Sequence, residues 1–190
     1  MKSRAPTPVK RGYSYSTMNQ ANKESPSNQE MTRGKGGQIV VLGMHRSGTS
    51  CLGTLLHAMG AHYADEGVGP PVTDNNENPK GHWEHPELRQ ICDRLLQASG
   101  FEWWSIDQFK LELVAPDVLD EALTDFRALV SKLDAHRPWF IKEPRLCVLL
   151  PALCPEIADP VTVHVWRNPL EVAVSLRNRN RFSLGFGVAL

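Results

Sequence analysis

The run Gln38-Ile39-Val40-Val41-Leu42-Gly43-Met44-His45-Arg46-Ser47-Gly48-Thr49-Ser50 constrains the fold more than any other stretch of this chain. Its first residues are rich in β-branched side chains and read as a buried strand, and its glycines and hydroxyl residues read as a tight loop. An apolar helix follows at once, from Cys51 to Met59. A strand that runs through such a loop into a helix aims the loop's N–H groups and the positive end of the helix at one point, a geometry suited to an anion. Gly43 and Gly48 fit the spacing G-x-x-x-x-G-K-[ST] of nucleotide hydrolases. Thr49, however, stands where the lysine belongs, and the basic residue comes earlier, at Arg46. That displacement argues against ordinary ATP or GTP hydrolysis and for a related fold that grips a different phosphorylated donor.

Further along the chain, strand and helix patterns alternate. Residues 61–85 carry Gly67, Gly69, Pro70, Pro71, Asn75, Asn76, Asn78, Pro79 and Gly81, too many breakers for regular structure, so a long loop is expected. Pro86 opens a helix in which Leu88, Ile91, Cys92, Leu95 and Leu96 recur at helical spacing, and a second helix starts at Pro116. Trp139 to Lys142 reads as a second central strand and Val161 to Trp166 as a third, with a short helix interrupted by Pro151 between them. Asn168-Pro169-Leu170-Glu171 then has the form of a helix start, with Asn as cap, Pro in the first turn and Glu three residues after the cap. This alternation predicts an α/β fold of P-loop type, a parallel sheet flanked by helices with ligands at the carboxyl ends of its strands.

Composition narrows the function classes. The 190 residues suffice for one domain core, placed over 37–190, while residues 1–36, polar, basic and poor in aliphatics, read as a disordered tail. The formal net charge is zero, which disfavours a nucleic-acid binder. No apolar run approaches the ~20 residues of a membrane span. Cys51, Cys92, Cys147 and Cys154 form no C-x-x-C pair and read as small buried hydrophobes in a reducing, cytoplasmic setting. His and Cys lack the spacing of metal ligands.

Arg167 closes the third strand, and Ser175 follows eight residues later in the next helix. Together with Arg46-Ser47-Gly48-Thr49-Ser50, this pair resembles the donor site of sulfotransferases, which use 3′-phosphoadenosine 5′-phosphosulfate (PAPS). Gly43 to Ser50, Asn78 to Glu84 and Lys142-Glu143-Pro144-Arg145 extend the resemblance toward the bacterial and carbohydrate-type branch, over about residue 37 to the end. The resemblance implies that Arg46, Ser47, Gly48, Thr49 and Ser50 hold the 5′-phosphosulfate and that Arg167 and Ser175 hold the 3′-phosphate. It further implies sulfuryl transfer from PAPS to a hydroxyl on a carbohydrate or small metabolite, without a metal.

For the chemistry, a cation at Lys142 would stabilise the leaving group beside Arg46, and a base would take the acceptor proton. Glu84 is the first candidate, with His85 and Glu143 behind it. Against these roles, Arg167 could pair with Glu171, Glu84 with Lys80 or Arg89, and Lys142 with Glu143, while Trp83, Trp103 and Trp104 could pack in the core or stack on a sugar. The family continues beyond the Ser175 helix, so the domain is expected to be incomplete at its C-terminus, and Phe182 to Gly187 reads as a chain entering the acceptor region. The rival readings are a nucleotide-dependent phosphotransferase and a nucleotide-binding or interaction domain without turnover.

Overall fold

The computed structural model describes residues 37–64 and 82–190. The tail over 1–36 and the stretch Asn78-Pro79-Lys80-Gly81 of the resemblance lie outside the described residues. Three parallel strands, β1 (Gln38–Leu42), β2 (Trp139–Lys142) and β3 (Pro160–His164), form a sheet in the order β2-β1-β3. Val40 stands opposite Ile141 on one side and Thr162 on the other. Parallel neighbours require crossovers, and helices supply them: α1 (Thr49–Ala58), α2 (Pro86–Gln97) and α3 (Pro116–Asp134) between β1 and β2, and α4 (Leu146–Leu153) between β2 and β3. The chain ends in α5 (Pro169–Asn180) and α6 (Leu184–Ala189). The protein is thus an α/β structure with a small parallel sheet flanked by helices.

Strand alternation divides the core. Trp139 and Ile141 enter the larger cluster, where Leu88, Leu95, Phe126 and Leu129 of α2 and α3 meet Leu146 and Leu149 of α4. Phe140 enters a smaller cluster with Ala61, Tyr63 and Trp83, against which Ile39 and Leu56 pack. At the amino ends of the strands, the Asp134 carboxylate accepts hydrogen bonds from Gln38, Arg137 and the Trp139 indole, tying α3 to β1 and β2.

Several sequence expectations shift. Helix α1 starts at Thr49 rather than Cys51, directly after Gly48, whose φ of 100° only glycine adopts readily. The third strand ends at His164, and neither it nor β2 is the central strand expected: both flank β1, β3 with much of its surface exposed. Pro151 lies inside α4 without ending it. Asn168 caps α5 by accepting from the Leu170 N–H at 2.9 Å, as expected, but Glu171 pairs with Arg167 instead of closing a capping box. Phe182 to Gly187 runs into a short helix, capped by Ser183, whose Gly187 lies against Ala173 of α5. Of the cysteines, only Cys92 is fully buried; Cys51 and Cys147 are exposed, because a place in an apolar run does not fix which side of a helix a residue occupies.

The larger cluster carries the stability. Leu129 is fully buried in it, so Leu129→Ala should cost about 2–5 kcal/mol, read as a lowered urea midpoint. Leu170→Ala, at an exposed position, should change stability by less than about 0.5 kcal/mol.

Candidate functional site

All three strands point their carboxyl ends at one edge of the sheet, and a cavity of about 500 Å³ opens there. Its floor is the loop between β1 and α1. Gly43 lets this loop pass tightly: a Cβ there would lie 2.7 Å from the Val165 carbonyl oxygen and 2.8 Å from the Thr49 methyl. Arg46 takes the left-handed conformation, with φ 68°, and reaches across the edge. Its Nε donates to the Ser175 hydroxyl of α5 at 2.9 Å, and the Arg167 guanidinium donates to the Arg46 carbonyl at 3.0 Å. Two motifs more than a hundred residues apart are thereby joined side chain to side chain.

The opposite wall is set by residues 82–85. Trp83 also has positive φ, 57°, and its indole packs over Gly53 and beside Phe140 while donating to the Thr54 hydroxyl at 2.9 Å. With Trp83 turned into the core, His82 and Glu84 face the cavity. The His82 carbonyl is held twice, by the Ser50 hydroxyl at 3.2 Å and by Lys142 Nζ at 3.0 Å. Lys142 also donates to Glu84 at 2.7 Å, and the pair is largely buried. Strand alternation explains the choice of partner: Lys142 shares the β2 face of Phe140, next to the 82–85 segment, whereas Glu143 falls on the α2 side. There both Glu143 oxygens accept from Arg145, which also pairs with Asp93 of α2. The expected Lys142–Glu143 pair is therefore absent, and Glu84 pairs with Lys142 rather than with Arg89; Lys80 lies outside the described residues.

The cavity walls thus include Arg46, Arg89, Lys142, Arg145, Arg167 and Arg179, against the acids Glu84 and Asp93. A chain of zero net charge concentrates cations at this edge, as an anionic ligand requires. Burial pushes the Glu84 pKa up, but the charge and hydrogen bond of Lys142 outweigh it and leave the group below its ordinary value. Burial lowers His82 and brings His45 down to about 3, so both are neutral at pH 7. Nε2 of each is sealed from solvent and has no hydrogen-bond partner.

Of the residues singled out in the sequence, Arg46, Gly48, Thr49, Ser50, Glu84, Lys142 and Arg167 line this cavity. Ser47 faces a neighbouring cavity, and Ser175 acts through its bond to Arg46. His85 caps α2, accepting from the Glu87 N–H, and Glu143 is locked by Arg145, so neither runner-up for the base stands on the wall. The Arg167–Glu171 pair is present at 3.0 Å, yet Arg167 still reaches the loop. Trp83 is core, and Trp103 is on the wall. Arg89, Asp93 and Arg179 were missed; spacing offered a signal, since Asp93 lies one helical turn after Arg89 and Arg179 one turn after Ser175.

Among the described residues, no group of three or more His, Cys, Asp or Glu is placed to hold a metal, and no helix is long and apolar enough to cross a membrane. The chain matches no family model, no curated protein and no solved structure.

Neutral His45 makes stability depend on pH. Its folded pKa lies below its unfolded value of about 6.5, so the unfolded chain binds the extra proton and stability falls as pH drops from about 6.5 toward 3. Over that window the wild type should lose up to ~1.4 kcal/mol per pH unit more than His45→Gln, measured by urea unfolding at several pH values. Parallel curves for the two proteins would contradict this.

Proposed function

We propose that the cationic cavity is the donor site of a PAPS-dependent sulfotransferase, and that the chain has the P-loop fold of that family. The observation that carries this reading is the junction of Arg46, Ser175 and Arg167. A donor with phosphate groups at both the 5′ and 3′ positions of one nucleoside needs two anion-binding elements close together. The loop with the first turn of α1 supplies one, and the start of α5 with Arg167 the other. The positive excess around them suits a ligand carrying several negative charges.

Sulfuryl transfer needs mainly alignment and charge neutralisation. Arg46 and the unpaired amides at the start of α1 would bind the 5′ group, with Thr49 beside them. Ser50 already spends its proton on the His82 carbonyl, so its part is to hold the 82–85 wall against the loop. Lys142, which lines the cavity beside Glu84, would be drawn toward the leaving phosphate as charge develops there. Its departure would raise the basicity of Glu84, which takes the acceptor proton. The base is thus inactive in the resting ion pair and is released by the donor.

Calorimetry with 3′-phosphoadenosine 5′-phosphate (PAP) and with ATP plus magnesium tests the reading. PAP should bind the more tightly, and preference for ATP–magnesium would turn the assignment to a phosphotransferase. Arg167→Ala should weaken PAP about 10- to 100-fold, the scale of a charge-assisted hydrogen bond, and adenosine 5′-phosphosulfate much less. Equal losses for the two ligands would remove Arg167 from the 3′-phosphate.

A further inference from the structure

Strand β3 borders the sheet, and its outer side pairs with no strand among the described residues. The Val165 N–H donates to the Leu42 carbonyl of β1 at 2.8 Å, so alternation turns the backbone groups of Val161 and Val163 toward β1 as well. Those of Thr162 and His164 therefore point outward, and both residues are exposed. Proteins guard such an edge with a lysine, a bulge or an inward-pointing charge. No Asp, Glu, Lys or Arg stands between Pro160 and Trp166, and the one proline there, Pro160, is only the first residue of the strand. Val161 within the strand and Trp166 just beyond it are 54% and 73% exposed. A bare edge with apolar side chains beside it is a place where another strand can add.

The edge itself selects the partner. Antiparallel pairing of two copies about a twofold axis at Val163 sets Thr162 of each opposite His164 of the other, and every outward N–H and carbonyl of these residues is then answered. An axis at Thr162 would instead set His164 against Pro160, which has no N–H to return. Continued past the strand, the Val163 register brings Trp166 opposite Pro160 of the second copy and Arg167 opposite Asp159 of the second copy. The two ends of β3 thus carry opposite charges, which an antiparallel pair matches and a parallel pair sets like against like. A stable dimer buries about 800 Å² from each partner, and a buried indole brings about 150–250 Å² of that. Trp166, with Val161 and the strand edge, supplies the apolar centre that such an area needs.

We propose that β3 is the interface for a second copy of this chain, the two strands joining antiparallel across Val163 into a continuous six-stranded sheet. The pairing is independent of what the cationic cavity binds, although it places the second copy beside Arg167 on the cavity wall.

Sedimentation of the full chain at micromolar concentrations should show a dimer. Thr162→Pro, which removes an outward N–H and leaves the bonds to β1 intact, and Trp166→Ala should each weaken that dimer at least tenfold, with folding checked by circular dichroism. A crosslink reads the register directly. In a background with the exposed Cys51 and Cys147 changed to serine, Val163→Cys should form a disulfide between copies on oxidation, because the Cα atoms of a non-hydrogen-bonded antiparallel pair lie about 4.5 Å apart. Val161→Cys should not, since its two copies would stand four residues out of step, about 13 Å apart. A dimer that resists Thr162→Pro and is not joined through Val163→Cys uses another surface and overturns the proposal, as does one joined through Val161→Cys. A monomer with fast-exchanging Thr162 and His164 amides overturns it too, and a monomer in which those amides exchange slowly gives the edge to a segment of its own chain instead.

Discussion

Strand β1 pairs on both sides with parallel partners, and that pairing determines where everything else in this molecule can stand. Parallel strands bring their carboxyl ends to one edge, so the loop after β1, Lys142 at the end of β2 and Arg167 just beyond β3 must meet there, whatever separates them in sequence. The ladder also sets which side each side chain takes. Because Ile39 stands opposite Phe140 and Val40 opposite Ile141, Lys142 falls on the Trp83 side and Glu143 on the α2 side. A shift of one residue in the β1–β2 register would exchange the two and give Lys142 to Asp93 and Glu84 to nothing.

Trp83 converts that register into a wall of the cavity. Its positive φ and its place over Gly53 are two halves of one arrangement, since a Cβ at position 53 would lie 2.9 Å from the Trp83 side chain. With the indole buried, the residues on either side are turned the other way, which puts His82 and Glu84 on the cavity and offers the His82 carbonyl to Ser50 and Lys142. Core packing and cavity electrostatics are therefore coupled through one aromatic side chain that touches no ligand site itself.

The readable parts of the sequence were those governed by local rules. The apolar spacing from Leu88 to Leu96, the Asn168-Pro169 cap and the β-branched run of β1 each fix their element without reference to distant residues. The glycines of the loop were legible for the same reason. The partner of Lys142 was not, because it depends on strand alternation and on the backbone of Trp83 together. Exposure of Cys51 and Cys147 depends on which side of α1 and α4 meets the sheet, and a sequence window of one helix does not contain that. The low placing of β3 at the sheet edge followed likewise from strand order, which alternation of elements leaves open.

The displaced basic residue of the loop acquires a structural reason from this arrangement. A lysine at position 49 would sit in the first turn of α1, over the loop, and could serve only the group bound there. Arg46 sits before the turn in a left-handed conformation, so its guanidinium extends sideways to Ser175 while its carbonyl is exposed to Arg167. A point charge such as lysine could not hold a hydroxyl in a fixed plane, whereas the guanidinium fork is a rigid planar set of donors, one of which goes to Ser175. Moving the cation from position 49 to position 46 thus exchanges a local contact for a bridge from the loop to Ser175 in the middle of α5.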